Sequence, residues 1–416
     1  MESAVRAPQP RPGVTARARR PLLRGADAVR ALDVAERIYA AAHERLASGA
    51  GPPESIGRYG GAALVAESLA RAGRGGEDGV RAALRDALVF APDRLSLYDG
   101  AGALAVVIEA ADPERVALGG VRGKLRDALA ASLRDLAPVD PATSRAYELV
   151  GGAAGRAIAL SLLAAEPRVE SEFASFAAFA RDFAAAAERC LRSPDPHVAA
   201  LNLGVSHGIA GVLAALNVAL PHERDLARRY AELLLRCSHD AGGAHRWGAV
   251  WRPGAVPSAR RAWCYQTAGV AAVLADRARI DGEDALYALA ADALAAVLDA
   301  PEPPDEPSDF ALCHGRSGVA SLAWRFAGDE RLVRHAEDLA REVLAAFDER
   351  APLGYRITVS PDERLEDRAG FLDGALGIAQ FLTDAATAQE RRWLPLFGLC
   401  ADSTTTRVFE RKTHAH

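Results

Sequence analysis

"SHGIAGVLAAL", residues 206–216, sets Gly208 and Gly211 three apart and follows them with an apolar run of helical character. The same turn and run recur as "GRYGGAALVAESLA" from Gly57, "DGAGALAVVIEA" from Asp99 and "GGAAGRAIALSLL" from Gly151. They return as "CYQTAGVAAVLA" from Cys264, "CHGRSGVASLA" from Cys313 and "DGALGIAQFL" from Asp373. With the first glycine of each turn as reference, the turns stand at 57, 100, 152, 208, 266, 315 and 374. Two copies depart from the pattern. Gln266 occupies the reference position of the fifth, and Ala103 stands where the second should have its closing glycine. Each interval holds two helices of ordinary length plus turns, so seven helix pairs are expected. Such repeats stack into an open solenoid or close into a ring. The glycines favour the ring, because turns without side chains let inner helix ends crowd together. A second helix from each repeat would then cover the outside.

Composition agrees with an all-α chain: Ala, Leu, Arg and Glu abound, aromatics are 6%, and there is one Met in 416 residues. The net charge of -5, with acids and bases interspersed, provides no basic field for nucleic acid. No stretch has the roughly 18 apolar residues of a membrane span, and no signal sequence opens the chain, so a cytoplasmic protein is expected. Five cysteines scattered from 190 to 400 do not form a disulfide framework. Residues 1–25, rich in Pro and Arg, read as a disordered arm, 26–402 as one helical domain and 403–416 as a polar tail. The Pro-rich stretch 301–310 reads as a connector within that domain.

If each turn opens an inner helix, the residues just before it share one face of the ring. One position before the reference lie Asp99, His207, Tyr265, His314 and Asp373; two positions before lie Cys264 and Cys313. Turns four, five and six are consecutive, so their polar residues should converge. Two thiolates and an imidazole suit zinc, and three protein ligands leave a fourth position open, as catalytic sites require. Cys190, Cys237 and Cys400 share no such position and read as core or helix-end residues.

"NLGVSHGIAG", "RRAWCYQTAGV", "FALCHGRSGVA" and "GFLDGALGIA", in this order, resemble the lanthionine synthetase C-like proteins, the cyclases of lanthipeptide biosynthesis. The resemblance runs from about residue 50 to 399, and the chain's length suits a standalone cyclase. It implies an α/α toroid of seven inner and seven outer helices, with one Zn²⁺ held by Cys264, Cys313 and His314. It also implies addition of peptide Cys thiols to dehydroalanine or dehydrobutyrine of the same precursor, closing the (methyl)lanthionine rings of antibiotic peptides. The implied partners are a dehydrated precursor peptide, a dehydratase and export machinery.

Family chemistry assigns roles to a histidine and an arginine, matched by His207 and Arg260. His207 would protonate the enolate or take the thiol proton, and Arg260 would stabilise the enolate oxygen or hold a carboxylate. Tyr265, beside a ligand, would donate a hydrogen bond. Two departures bear on the site. Glu148 in "YELVGG" stands where the family usually has Asp, with reach to His207 or Arg260. Gln266 replaces a glycine, and a backbone needing positive φ would be strained there. Altered substrate handling is expected rather than a dead enzyme. Other readings are an enzyme adding glutathione or another small thiol to dehydroamino acids, a zinc-containing peptide scaffold, and a toroidal glycosidase using Asp99 and Asp373.

Overall fold

A computed structural model describes residues 20–49, 57–89, 94–141, 145–164, 169–193, 195, 200–258, 260–303, 309–359 and 364–402. Among the described residues there are fourteen α-helices, and they alternate between two concentric layers. The inner layer is α2 (Gly57–Arg71), α4 (Ala101–Ala111), α6 (Ala153–Leu163), α8 (Ile209–Ala219), α10 (Thr267–Asp281), α12 (Arg316–Ala323) and α14 (Ala375–Thr387). The outer layer is α1 (Ala26–Ala47), α3 (Glu77–Val89), α5 (Gly119–Arg134), α7 (Glu170–Leu191), α9 (Arg224–Arg236), α11 (Asp284–Asp299) and α13 (Glu330–Ala345). Each inner helix packs on the next and α14 packs back on α2, so the ring closes.

Sequence explains the layering. α8 buries every residue from Ile209 to Asn217, as a helix walled on all sides must. α13 buries only a stripe, Leu332, Ala336, Leu339, Ala340, Val343 and Leu344, and leaves its charges outside. Its start is fixed by Asp329, whose carboxylate accepts the N–H groups of Arg331 and Leu332. No helix among the described residues is long and apolar enough to cross a membrane.

The turns are stitched together at the helix N-termini by backbone hydrogen bonds. Leu97 N–H donates to Val150 O (3.1 Å), Val150 to Ser206 (3.3 Å) and Ser206 to Cys264 (3.2 Å). Cys264 then donates to Cys313 (3.3 Å) and Cys313 to Leu372 (2.8 Å). Among the described residues the second to seventh turns thus contribute one rung each, and from the third turn on it lies two residues before the reference position.

The closing glycines are what permit this. A Cβ on Gly155, Gly211, Gly269, Gly318 or Gly377 would lie 1.8–2.4 Å from a carbonyl oxygen of its own turn. The rung register corrects the second turn by one residue. Its rung is Leu97, its closing glycine is Gly102 (Cβ 2.4 Å from Ser96 O), and Tyr98, not Asp99, takes the step next to the rung.

The opposite end is sealed by buried charge. Asp276 accepts from Arg325, from Arg279 (3.0 Å) and from the Cys400 N–H (2.9 Å). Arg391 donates to Ser321 O and pairs with Asp402. The segment Leu394–Phe397 enters the ring as a 3₁₀ turn, with Phe397 stacked on Trp263 at 4.3 Å and edge-on to Trp393 at 5.0 Å.

Within the segment expected to form an N-terminal arm, residues 20–25 are described. Leu22 and Leu23 are buried and Leu23 N–H donates to Ala385 O, because two leucines repay packing even in an Arg-rich stretch. Residues 1–19 and 403–416, and 304–308 of the 301–310 connector, lie outside the described residues.

Candidate metal centre

Cys264 and Cys313 occupy adjacent hydrogen-bonded rungs, so their side chains leave the backbone side by side, as on neighbouring strands. His314 is the next residue. The ligand atoms of Cys264, Cys313 and His314 all lie within 4.8 Å of one another.

Asp309 completes the constellation from six residues before the sixth reference glycine. Its Oδ1 accepts the Ala311 N–H at 2.8 Å, and its Oδ2 lies 3.4 Å from His314 Nε2. That oxygen is buried and has no hydrogen-bond partner among the described residues. With Nε2 facing a carboxylate, Nδ1 is the nitrogen available to a metal, an arrangement typical of metal-binding histidines. The donor set therefore fits zinc: two sulfurs, one oriented imidazole and a buried carboxylate behind it.

The charges of the set are distributed before any metal arrives. Hydrogen bonding from Cys313 holds the Cys264 thiol well below its usual range against the opposing effect of burial, with His314 and Arg260 helping. The same contact with Cys264, together with burial, pushes Cys313 up. Burial pulls the His314 imidazolium down, but Asp309 and Cys264 outweigh it and raise His314 to about 10. These directions favour the thiolate at Cys264, the thiol at Cys313 and the imidazolium at His314 before a metal binds.

The fourth turn supplies the neighbouring histidine. His207 Nδ1 lies 2.7 Å from Glu148 Oε2, and the carboxylate is buried. The Tyr147 hydroxyl donates to His207 O at 3.2 Å, fixing the backbone beneath the ring. Tyr265 lies beside His207, ring centroids 5.6 Å apart. Burial, then the charge of Cys264, raises the Tyr265 phenol, which keeps it a donor at neutral pH.

A family model described as "Lanthionine synthetase C-like protein" matches residues 77–397. The chain belongs to this family. Its fold is also that of nisin cyclase: the solved structure superposes with a TM-score of 0.64 at 16% identity, covering 88% of this chain and 97% of that one. No curated protein sequence matches the chain.

Within this lanthionine synthetase C-like toroid the sequence-derived residues separate into groups. Cys264, Cys313 and His314 come together, as do His207, Glu148 and Tyr265. Arg260 is half-buried and near enough for its charge to lower Cys264, but among the described residues it has no hydrogen bond to Glu148 or His207. Asp99 and Asp373 are each tied to an arginine, Arg94 and Arg368, both at 2.9 Å.

Two residues were missed. Asp309 has a recognisable counterpart: Asn202 stands at the same offset in the fourth turn and likewise bends back, accepting the Gly204 N–H at 3.1 Å. Tyr98 is buried, its ring lies 6.2 Å from that of Trp263, and the charges of Cys313 and Cys264 act on its phenol. Its hydroxyl has no hydrogen-bond partner among the described residues.

Proposed function

We propose that this lanthionine synthetase C-like protein is a zinc-dependent lanthipeptide cyclase. It adds cysteine thiols of a dehydrated precursor peptide to dehydroalanine or dehydrobutyrine residues of the same peptide. The observation that carries the reading is the Cys264–Cys313–His314 cluster sharing one mouth of the toroid with the His207–Glu148 pair.

In this reading Cys264, Cys313 and His314 hold one Zn²⁺ and Asp309 orients His314. The bound metal would supply a deprotonated thiol at neutral pH, where a free thiol is only a few per cent ionised. In the addition, the substrate S–H bond breaks and an S–C bond forms at the β carbon. The π electrons of the alkene become an enolate, and a proton is delivered to the α carbon. Nothing leaves, so the step needs no further reactant.

Glu148 accepts from His207 Nδ1, which leaves Nε2 as the nitrogen that exchanges protons with the reacting groups. Tyr265 stands beside it as a hydroxyl donor, and Arg260, whose charge reaches Cys264, would supply positive charge to the enolate. A dehydratase would supply the substrate, cytoplasmic synthesis and export of an antibiotic peptide completing the setting.

Incubation of the zinc-loaded protein with a dehydrated peptide, followed by thiol alkylation, tests the reading. Ring closure protects cysteines from the reagent; alkylation of every cysteine refutes it. His207→Asn is expected to keep zinc and to slow closure by about 10²–10⁴-fold, the usual worth of a positioned acid or base.

A further inference from the structure

The reference glycines of the turns are needed for space, not for an unusual backbone. Their φ angles are −96° at Gly152, −129° at Gly208 and −121° at Gly315. A Cβ on Gly208 would lie 2.5 Å from Asn202 O, and one on Gly315 2.4 Å from Ala311 N. Gln266 brings a Cβ to this crowded position, and its backbone is different: φ 70°, ψ −161°. That region is all but reserved for glycine, and a side-chain-bearing residue held there is strained. Strain of this kind persists where the surrounding structure holds it, often beside a functional site.

At Gln266 the side chain lines a cavity of about 410 Å³, within the range of ligand sites. Leu203, His239, Trp251, Arg252 and Ser258 share the lining. The Gln266 carbonyl Oε1 accepts from the Ser258 hydroxyl at 3.0 Å. Its amide nitrogen makes no hydrogen bond among the described residues. The cavity is walled by β4 (Val250–Trp251), which pairs on one side with β1 (Leu201–Asn202). Val250 and Val256, both exposed, add apolar side chains to the lining. An indole, aliphatic groups, a guanidinium and a carboxamide together suit an extended peptide segment, whose backbone needs polar partners while its side chains need apolar ones. Two of its lining residues adjoin the metal centre: Gln266 follows Tyr265 directly, and Leu203 precedes Gly204, where a Cβ would lie 2.6 Å from Cys264 O and 2.9 Å from the Tyr265 ring.

We infer that this cavity is the subsite for the peptide residues flanking the reacting cysteine, with the Gln266 carboxamide bonding to their backbone. The inference rests on the cyclase reading and adds to it the place where the substrate is gripped. It also accounts for the strained glutamine: glycine would relax the turn but remove the amide.

The test compares the zinc-loaded wild type with Gln266→Gly and Gln266→Asn. The probe is a synthetic peptide carrying one dehydroalanine, one cysteine and flanking residues on both sides; a second probe lacks the residues flanking the cysteine. For Gln266→Gly the expected results are a Tm at or above that of the wild type, unchanged zinc content, and a KM and equilibrium Kd for the long peptide raised about tenfold, the worth of roughly one good hydrogen bond. The penalty shrinks to less than about twofold with the truncated probe. Asn, which keeps the carboxamide on a side chain one methylene shorter, recovers part of the affinity. A lowered Tm with unchanged KM and Kd would make Gln266 purely structural and overturn the subsite. Zinc binding with no ring closure by the wild type refutes the cyclase reading instead.

Discussion

Zinc uptake by the metal-free protein should release about two protons at every pH between about 6 and 8.5, because ionisation of the trio is already arranged. Cys264 is held down by Cys313 and His314 and enters as a thiolate; Cys313 is held up and gives one proton; His314, raised to about 10, gives the other. Unperturbed groups behave otherwise. Two ordinary thiols and an ordinary imidazole would release about 2.8 protons at pH 6, falling to about 1.0 at pH 8.5. The difference is one of slope as well as number: flat against a loss of nearly two protons. Calorimetric titration of zinc in pairs of buffers with different ionisation enthalpies measures the count directly. A fall of more than one proton across the window would refute the thiolate–thiol–imidazolium arrangement, and with it the role given to Asp309.

Asp309→Asn keeps an acceptor for the Ala311 N–H but removes the charge behind His314, so zinc loss to a competing chelator should be about 10–100-fold faster, with helical content unchanged. Gly318→Ala would place a methyl 1.8 Å from Leu312 O, the residue before Cys313; the turn must shift, and zinc content below half of wild type by metal analysis is expected. At the far end, Asp276→Ala leaves buried Arg325 with only its longer pairing to Asp402 (3.7 Å), and urea unfolding should report a loss of about 3 kcal/mol while zinc binding survives.

What was legible in the sequence depended on one offset. Glycines recur because a Cβ would strike the turn's own carbonyls, and that requirement is blind to what surrounds the turn, so the seven repeats and the two layers could be read from the chain. Cysteines and histidines were found for the same reason: Cys264 and Cys313 hold equivalent rungs, and His207, Tyr265 and His314 the next step. Where the marker slipped, the reading slipped with it. In "DGAG" Gly100 comes one residue after the true reference, which hid Tyr98 and gave Asp99 its place. Asp309 was lost to a different cause. It closes a Pro-rich stretch that reads as a connector, and only the folded turn reveals its carboxylate behind His314. Leu22 and Leu23 show the general limit: their burial depends on α14, more than 350 residues away in sequence, and no local pattern reports it.

The rung ladder also explains why the chemistry sits at one mouth and why the other end is built differently. Backbone hydrogen bonds between turns set neighbouring rungs side by side, so a residue type placed at one offset in two successive repeats becomes a pair without any long-range design. Cys264 and Cys313 are such a pair, and His207 and Tyr265 another. The helix C-termini have no ladder. There the ring is closed by carboxylates locked to arginines, Asp276 to Arg325 and Asp402 to Arg391. Two of the buried polar groups left short of partners among the described residues, Asp309 Oδ2 and the Tyr98 hydroxyl, lie at the turn end, close to the two thiols. An unpartnered carboxylate oxygen and phenol beside two thiols are polar capacity of the kind that a site awaiting a metal and a peptide requires.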